Sequence, residues 1–185
     1  MNAVLTLLLD WPVHNWMRRV SLELYQQCGI EMNSAHNAPH LSLRSGFETI
    51  DLGHLERYAA QLAASLDPLR VTLTDLKLWA NPGEACVLYL DVAEQEMLMP
   101  LHHRVTRDLN LPLNDYDGNR FHFHATVMWE PLTAEQLEAV QSQYLGRAFD
   151  RQVSIDHLCL YLKVDRSIHT HLILPLGGED RGRDP

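Results

Sequence analysis

The sequence predicts strands and helices alternating in one repeated order, β-α-β-α-β written twice. Three observations carry that reading. Apolar residues switch along the chain between a spacing of two and a spacing of 3.6. The order of switches over residues 1–80 recurs over residues 84–176 with little identity between the halves, which points to internal duplication. Gly, Pro, Asn and Asp punctuate the changes. The expected organisation is a single bilobal domain over residues 1–176, followed by a flexible tail over 177–185 that has nothing apolar to bury.

Element by element, Val4 to Leu9 reads as a buried strand closed by Asp10. A helix follows from Pro12 to Cys28, with proline in its first turn and Gly29 as its stop. A strand then covers His40 to Arg44. The next helix, Asp51 to Leu66, presents Leu55, Tyr58, Ala59, Leu62 and Leu66 on one face and has Asp51 as its cap. A strand over Val71 to Trp79 ends the first half, and Asn81-Pro82-Gly83 marks a turn. The second half reads as strand Ala85 to Val92, helix Glu94 to Leu109, strand Phe121 to Trp129, helix Ala134 to Leu145 and strand Val153 to Val164. Thr133 and Gln136 form a capping-box signature at the last of these helices. His169 to Leu174 adds a final hairpin strand.

Composition narrows the function. Of 185 residues, 46% are hydrophobic and 21% charged, as in an ordinary globular protein. A net charge of −9 argues against a coat on duplex DNA or long single strands, whose affinity comes from neutralising phosphates with Lys and Arg. It leaves room for a small phosphorylated ligand. Val4 to Leu9 lacks the basic approach and cleavage site of a signal peptide, and no apolar run nears the ~20 residues of a spanning helix, so no membrane association is expected. Three dispersed cysteines, Cys28, Cys86 and Cys159, fit reduced core thiols in a cytoplasm better than a disulfide framework or zinc site.

Two segments carry chemistry. Pro39-His40-Leu41-Ser42-Leu43 and Phe123-His124-Ala125-Thr126-Val127 share the form histidine, any residue, hydroxyl, aliphatic. In a strand, residues two apart point the same way, so His40 joins Ser42 and His124 joins Thr126 on one face. Leu41, Leu43, Ala125 and Val127 then face the helices. With average composition, a given histidine meets the pattern about one time in twenty. Among eleven histidines one hit is therefore ordinary, but two hits at matched places in a duplicated pattern are not.

On these motifs the chain resembles the two-histidine (2H) phosphoesterase superfamily, within it the 2'-5' RNA ligase and cyclic phosphodiesterase group. The likeness in element order runs over nearly all of residues 1–175. It implies an α+β, bilobal fold in which two mainly antiparallel sheets face a central cleft with helices outside. It also implies catalysis by His40 and His124, with Ser42 and Thr126 on the phosphate. His40 would be general acid to the leaving oxygen and His124 general base to water, the roles swapping for ligation. The chain departs from the family pattern in having Ser42 where Thr is commoner, His122 and Phe123 where a proline often precedes the histidine, and Trp129 where arginine is frequent.

The residue types suit that chemistry. Opening a cyclic phosphodiester requires water to lose a proton while the departing ribose oxygen gains one. Imidazole, with a pKa of about 6.5, can do either near neutral pH. An in-line displacement with hydrogen-bond reach at each end puts the two nitrogens within about 10 Å of each other. Hydroxyl donors on the non-bridging oxygens meet the charge that builds there, so neither a metal nor another cofactor is needed. By strand parity Arg44 shares the face of His40, and Arg120 and His122 share that of His124. These arginines are candidates to hold a second phosphate or flanking backbone, His122 to touch substrate, and Trp129 and Tyr161 to stack a base.

The expected partner is a small phosphorylated nucleotide or RNA end, met by a monomer. Two rivals remain. His122 and His124 on one strand face could begin a metal site, although no carboxylate stands close by before Glu130. A nucleotide-binding module without turnover would keep the same fold. Asp115-Tyr116-Asp117-Gly118 lacks the remaining ligands of a calcium loop and reads as a polar turn.

Overall fold

The computed structural model describes residues 2–33, 37–44, 46–49, 51–80, 85–113, 117–164 and 167–177. The Asn81-Pro82-Gly83 turn, Asp115, Tyr116 and the tail beyond Gly177 lie outside the described residues.

The elements run β1 (Asn2–Leu8), α1 (Trp11–Cys28), β2 (His40–Ser42), β3 (Phe47–Glu48), α2 (Leu52–Ala64), β4 (Leu69–Trp79), β5 (Cys86–Val92), α3 (Gln95–Asp108), β6 (His124–Glu130), α4 (Ala134–Tyr144), β7 (Arg151–Ile155), β8 (His157–Val164) and β9 (Ser167–Pro175). Helix ends follow local chemistry. Asp10 caps α1 by accepting from the Val13 N–H, and Gly29 ends it at φ 63°, a left-handed conformation that suits a residue without Cβ. Asp51 accepts from the His54 N–H at 2.8 Å. Both arms of the Thr133–Gln136 capping box are formed.

Two antiparallel sheets result. One has the order β2-β1-β8-β9, with β3 also on β1; the other is β6-β5-β4-β7. The sheets do not follow the sequence halves. Strand β4 pairs with β5 and β7, while β8 pairs with β1, so each half sends its closing strands into the other sheet. The predicted single strand Val153 to Val164 accordingly breaks at Asp156 into β7 and β8, one in each sheet.

Each motif strand is the edge strand of its sheet, and β2 and β6 lie against one another. Leu41, Leu43, Ala125 and Val127 are buried in a single apolar core that includes Leu5, Leu7, Leu158 and Leu160. Helix α1 packs on β6, α2 on β8 and β9. Ser21 of α1 fixes the first contact by donating to the Met17 and Val127 carbonyls.

Two strands are shorter than alternation suggests. Strand β2 ends at Ser42, so parity does not carry to Arg44. Strand β6 begins at His124 rather than at the expected Phe121, and a 3-10 turn at Gly118–Arg120 takes Arg120 out of the strand parity extended to it. A bulge also re-aims β6: Tyr89 pairs with Thr126 but Leu88 with Met128, leaving Val127 as the extra residue. Past it Trp129 pairs with Val87 and joins the face of Thr126, while Glu130 is buried opposite Cys86.

Candidate active site

His40, Ser42, His124 and Thr126 all line one cleft of about 530 Å³, a size that suits a nucleotide-scale ligand. Register explains the convergence. Ser42 stands opposite Thr6 and His40 opposite Leu8 on β1, while Thr126 stands opposite Tyr89 and His124 opposite Asp91 on β5. Both edge strands turn the same side toward the gap between the sheets.

The imidazoles are anchored in the same way. His40 Nδ1 lies 2.8 Å from the Ala38 carbonyl and His124 Nδ1 2.8 Å from the His122 carbonyl, two residues upstream in each case. A carbonyl only accepts, so each ring carries its hydrogen on Nδ1 when neutral and its lone pair on Nε2. The fold thus fixes one tautomer twice.

Burial disfavours the imidazolium in both. It holds His40 below the ordinary histidine value, against the opposing bond to Ala38. It lowers His124 to about 4, with the charges of His122 and His40 pushing the same way and the His122 carbonyl and Asp91 opposing. Both rings are therefore neutral at pH 7. An anionic phosphate between them would favour protonating one.

Aromatic groups shape the walls. Tyr161 lies with its ring centroid 5.3 Å from that of His40, and its hydroxyl is buried. Trp79 and Tyr89 meet the His124 ring edge-on at 4.6 and 5.3 Å. Trp129 lines the cleft at 60% exposure.

Three sequence expectations are relocated. Arg44 does not reach the cleft: it is 2% exposed, its Nη2 pairs with Asp117 Oδ2 at 2.6 Å and donates to the Pro112 carbonyl at 2.5 Å. The cause is the end of β2 at Ser42, after which the chain turns inward. Arg120 sits in the 3-10 turn, exposed and away from the cleft wall. His122 precedes β6 and is turned to Asp91, with Nε2 2.7 Å from Oδ1. Its carbonyl, rather than its ring, serves the site.

Other residues come from segments without a motif. Arg18 of α1 lines the cleft and donates to the Asn37 carbonyl at 3.1 Å, bracing the approach to His40. Lys163 also lines it, sharing the face of Tyr161 through alternation on β8. That alternation was readable; the placement of β8 beside β1 was not. Among the described residues, no group of three or more His, Cys, Asp or Glu is arranged to hold a metal ion.

An α+β chain whose two antiparallel sheets bring an H-x-S and an H-x-T strand to one cleft has the architecture of a two-histidine phosphoesterase. The sequence profile of the 2'-5' RNA ligase superfamily matches residues 12–166, and the chain belongs to that family. No curated protein sequence matches the chain. Similar solved structures include TT0787 of Thermus thermophilus, at 17% identity and TM-score 0.70, covering 97% of this chain and 100% of that one. Escherichia coli LigT complexed with 3'-AMP is 15% identical with TM-score 0.62, covering 95% and 97%. Usb1 of Kluyveromyces marxianus is 13% identical with TM-score 0.57, covering 95% and 98%. LigT has also been solved with ATP and with NADP+. No helix is long and apolar enough to cross a membrane among the described residues.

Proposed function

We propose that the chain hydrolyses a 2',3'-cyclic phosphate, or a 2'-5' phosphodiester, on RNA ends or nucleotides by general acid-base catalysis between His40 and His124. The observation that supports this most is the matched pair: two imidazoles with the same Nδ1 anchor and the same hydroxyl two residues on, in one cleft. Water at phosphorus gives its proton to His124 Nε2 as the new P–O bond forms. The P–O bond to the ribose oxygen breaks, and that oxygen takes a proton from His40 Nε2. One water is consumed and one phosphomonoester formed; His40 enters as the imidazolium and leaves neutral while His124 does the reverse, so the pair's total protonation is unchanged and proton exchange resets the two rings.

Ser42 and Thr126 donate to the non-bridging oxygens, where negative charge accumulates. Trp129, which lines the cleft, stacks the base in this reading, and Tyr161 backs His40. Every proton movement has a residue, so no step calls for a metal. Nucleotide complexes of LigT agree with a nucleotide-sized ligand. The free thiols Cys28, Cys86 and Cys159 agree with a cytoplasmic setting, and a monomer suffices, since one chain supplies both histidines.

The test is turnover of 2',3'-cyclic nucleotides and cyclic-phosphate RNA ends in the presence of a chelator. Wild type should act, and His40→Ala and His124→Ala should each lose about 10²- to 10⁴-fold in kcat. Tight binding without turnover would make the chain a nucleotide-binding module. Loss of activity on chelation, restored by a divalent cation, would make it a metalloenzyme.

A further inference from the structure

The two motif strands match in their histidines and differ in what stands beside them. Opposite His40 is Leu8; opposite His124 is Asp91. Asp91 is 8% exposed and well occupied. Its Oδ1 accepts from the Val92 N–H at 2.8 Å and lies 2.7 Å from His122 Nε2, and its Oδ2 pairs with Lys77 Nζ. Burial opposes its ionised form, but the bonds from Lys77 and Val92 and the nearby His122 outweigh that and hold the carboxyl below its ordinary range. An ionised carboxylate only accepts, so His122 carries hydrogen on Nε2. The carbonyl of that same His122 receives the Nδ1 hydrogen of His124. Gln95 completes the clamp, taking the Phe123 N–H at 2.8 Å and donating to the Phe123 carbonyl at 2.7 Å.

We propose that Asp91 is a positioning residue for His124, acting through the ring and peptide of His122, and that it makes His124 the proton acceptor of the pair. The second clause rests on the reaction proposed above. Holding the His122 ring fixes the peptide plane whose carbonyl aims the His124 ring. An anion on the same sheet face also favours the imidazolium that forms when water's proton arrives. Leu8 offers His40 neither effect, so the His40 imidazolium is the readier donor to the leaving oxygen. Groups facing His124 are Lys77 and Trp79 from β4, Tyr89 and Asp91 from β5, His122 from its own approach, His40 from β2 and, across the cleft, Arg18, Tyr161 and Lys163. Lys77 is paired to Asp91, and burial pushes the Tyr89 hydroxyl up to about 12, so it stays neutral.

Two variants separate hold from charge. Asp91→Asn keeps an acceptor without the anion; Asp91→Leu copies the first half. The readouts are ring ¹⁵N spectra of the three histidines in ligand-free protein, and kcat and KM on a 2',3'-cyclic nucleotide. With Asn, His122 should keep its Nε2 hydrogen while the titration of His124 moves to lower pH and that of His40 stays. With Leu, His122 should show mixed tautomers, and kcat should fall about 10- to 100-fold with KM within about twofold. Should Asp91→Leu fail to fold, Asp91→Leu combined with Lys77→Met removes the stranded cation and carries the same test. Unchanged His122 and His124 spectra in both variants, or equal shifts at His40, would overturn the proposal. Absence of wild-type turnover would instead overturn the phosphoesterase reading, with the spectra still deciding whether Asp91 holds His124.

Discussion

Replacing Arg44 by Met tests whether this residue belongs to the core or to the ligand. Its side chain is 2% exposed and that of its partner Asp117 is fully buried. Removing the guanidinium takes the Arg44 charge away from a carboxylate that has no solvent, and breaking a buried pair from one side costs about 3–5 kcal/mol. For a chain of 185 residues each kcal/mol shifts Tm by about 2–4 °C, so Arg44→Met should melt about 6–20 °C lower. The Pro112 carbonyl loses its donor in the same step. In Arg44→Met/Asp117→Leu both charges of the pair are gone, and more than half the loss should return. Urea titrations give the stabilities, and KM on a cyclic nucleotide, measured well below each Tm, should stay within twofold of wild type. A single variant within about 1 kcal/mol of wild type that raises KM tenfold would refute the reasoning and return Arg44 to the phosphate.

Three further outcomes follow from the site and its supports. Because the folded pKa of His124 is depressed from 6.5 to about 4, the unfolded chain binds more protons between those values, so stability is intact above about 6.5 and falls toward pH 4. The loss from this group is about 3 kcal/mol, and His124→Gln should flatten the pH dependence of urea midpoints by that much. Trp129→Ala should raise KM for nucleotide substrates about 5- to 100-fold at nearly unchanged kcat, as expected for a base stack of about 1–3 kcal/mol, and leave stability within about 0.5 kcal/mol. Thr133→Ala, which removes the capping box of α4, a helix that contributes no residue to the cleft lining, should lower stability by about 1 kcal/mol and leave kcat unchanged in steady-state assays.

Legibility differed by length scale. Helices were readable because their signals are local: Asp51, the Thr133–Gln136 box and Gly29 each satisfy or end backbone bonding within a few residues. The four motif residues were readable because strand parity is also local, and β2 and β6 keep it over the three residues that matter. Parity failed where strands end or bulge. It placed Arg44 on the wrong side beyond Ser42, put His122 in a strand that begins only at His124, and was carried one residue beyond the expected strand to Arg120. Sheet membership was not written locally at all. Pairing of β4 with β5 and of β8 with β1 is set by packing between segments far apart in the chain, which is why Lys163, Trp79 and the Asp91–His122 contact escaped notice.

The central claim is that His40 and His124 act on one phosphorus atom. A crystal structure of the protein soaked with a nucleoside 2'-monophosphate tests it most directly. The phosphate should lie between His40 Nε2 and His124 Nε2 within hydrogen-bond reach of both, with the Ser42 and Thr126 hydroxyls on its other oxygens. A phosphate held by only one imidazole, or seated beside Arg120 outside the cleft, would contradict the account.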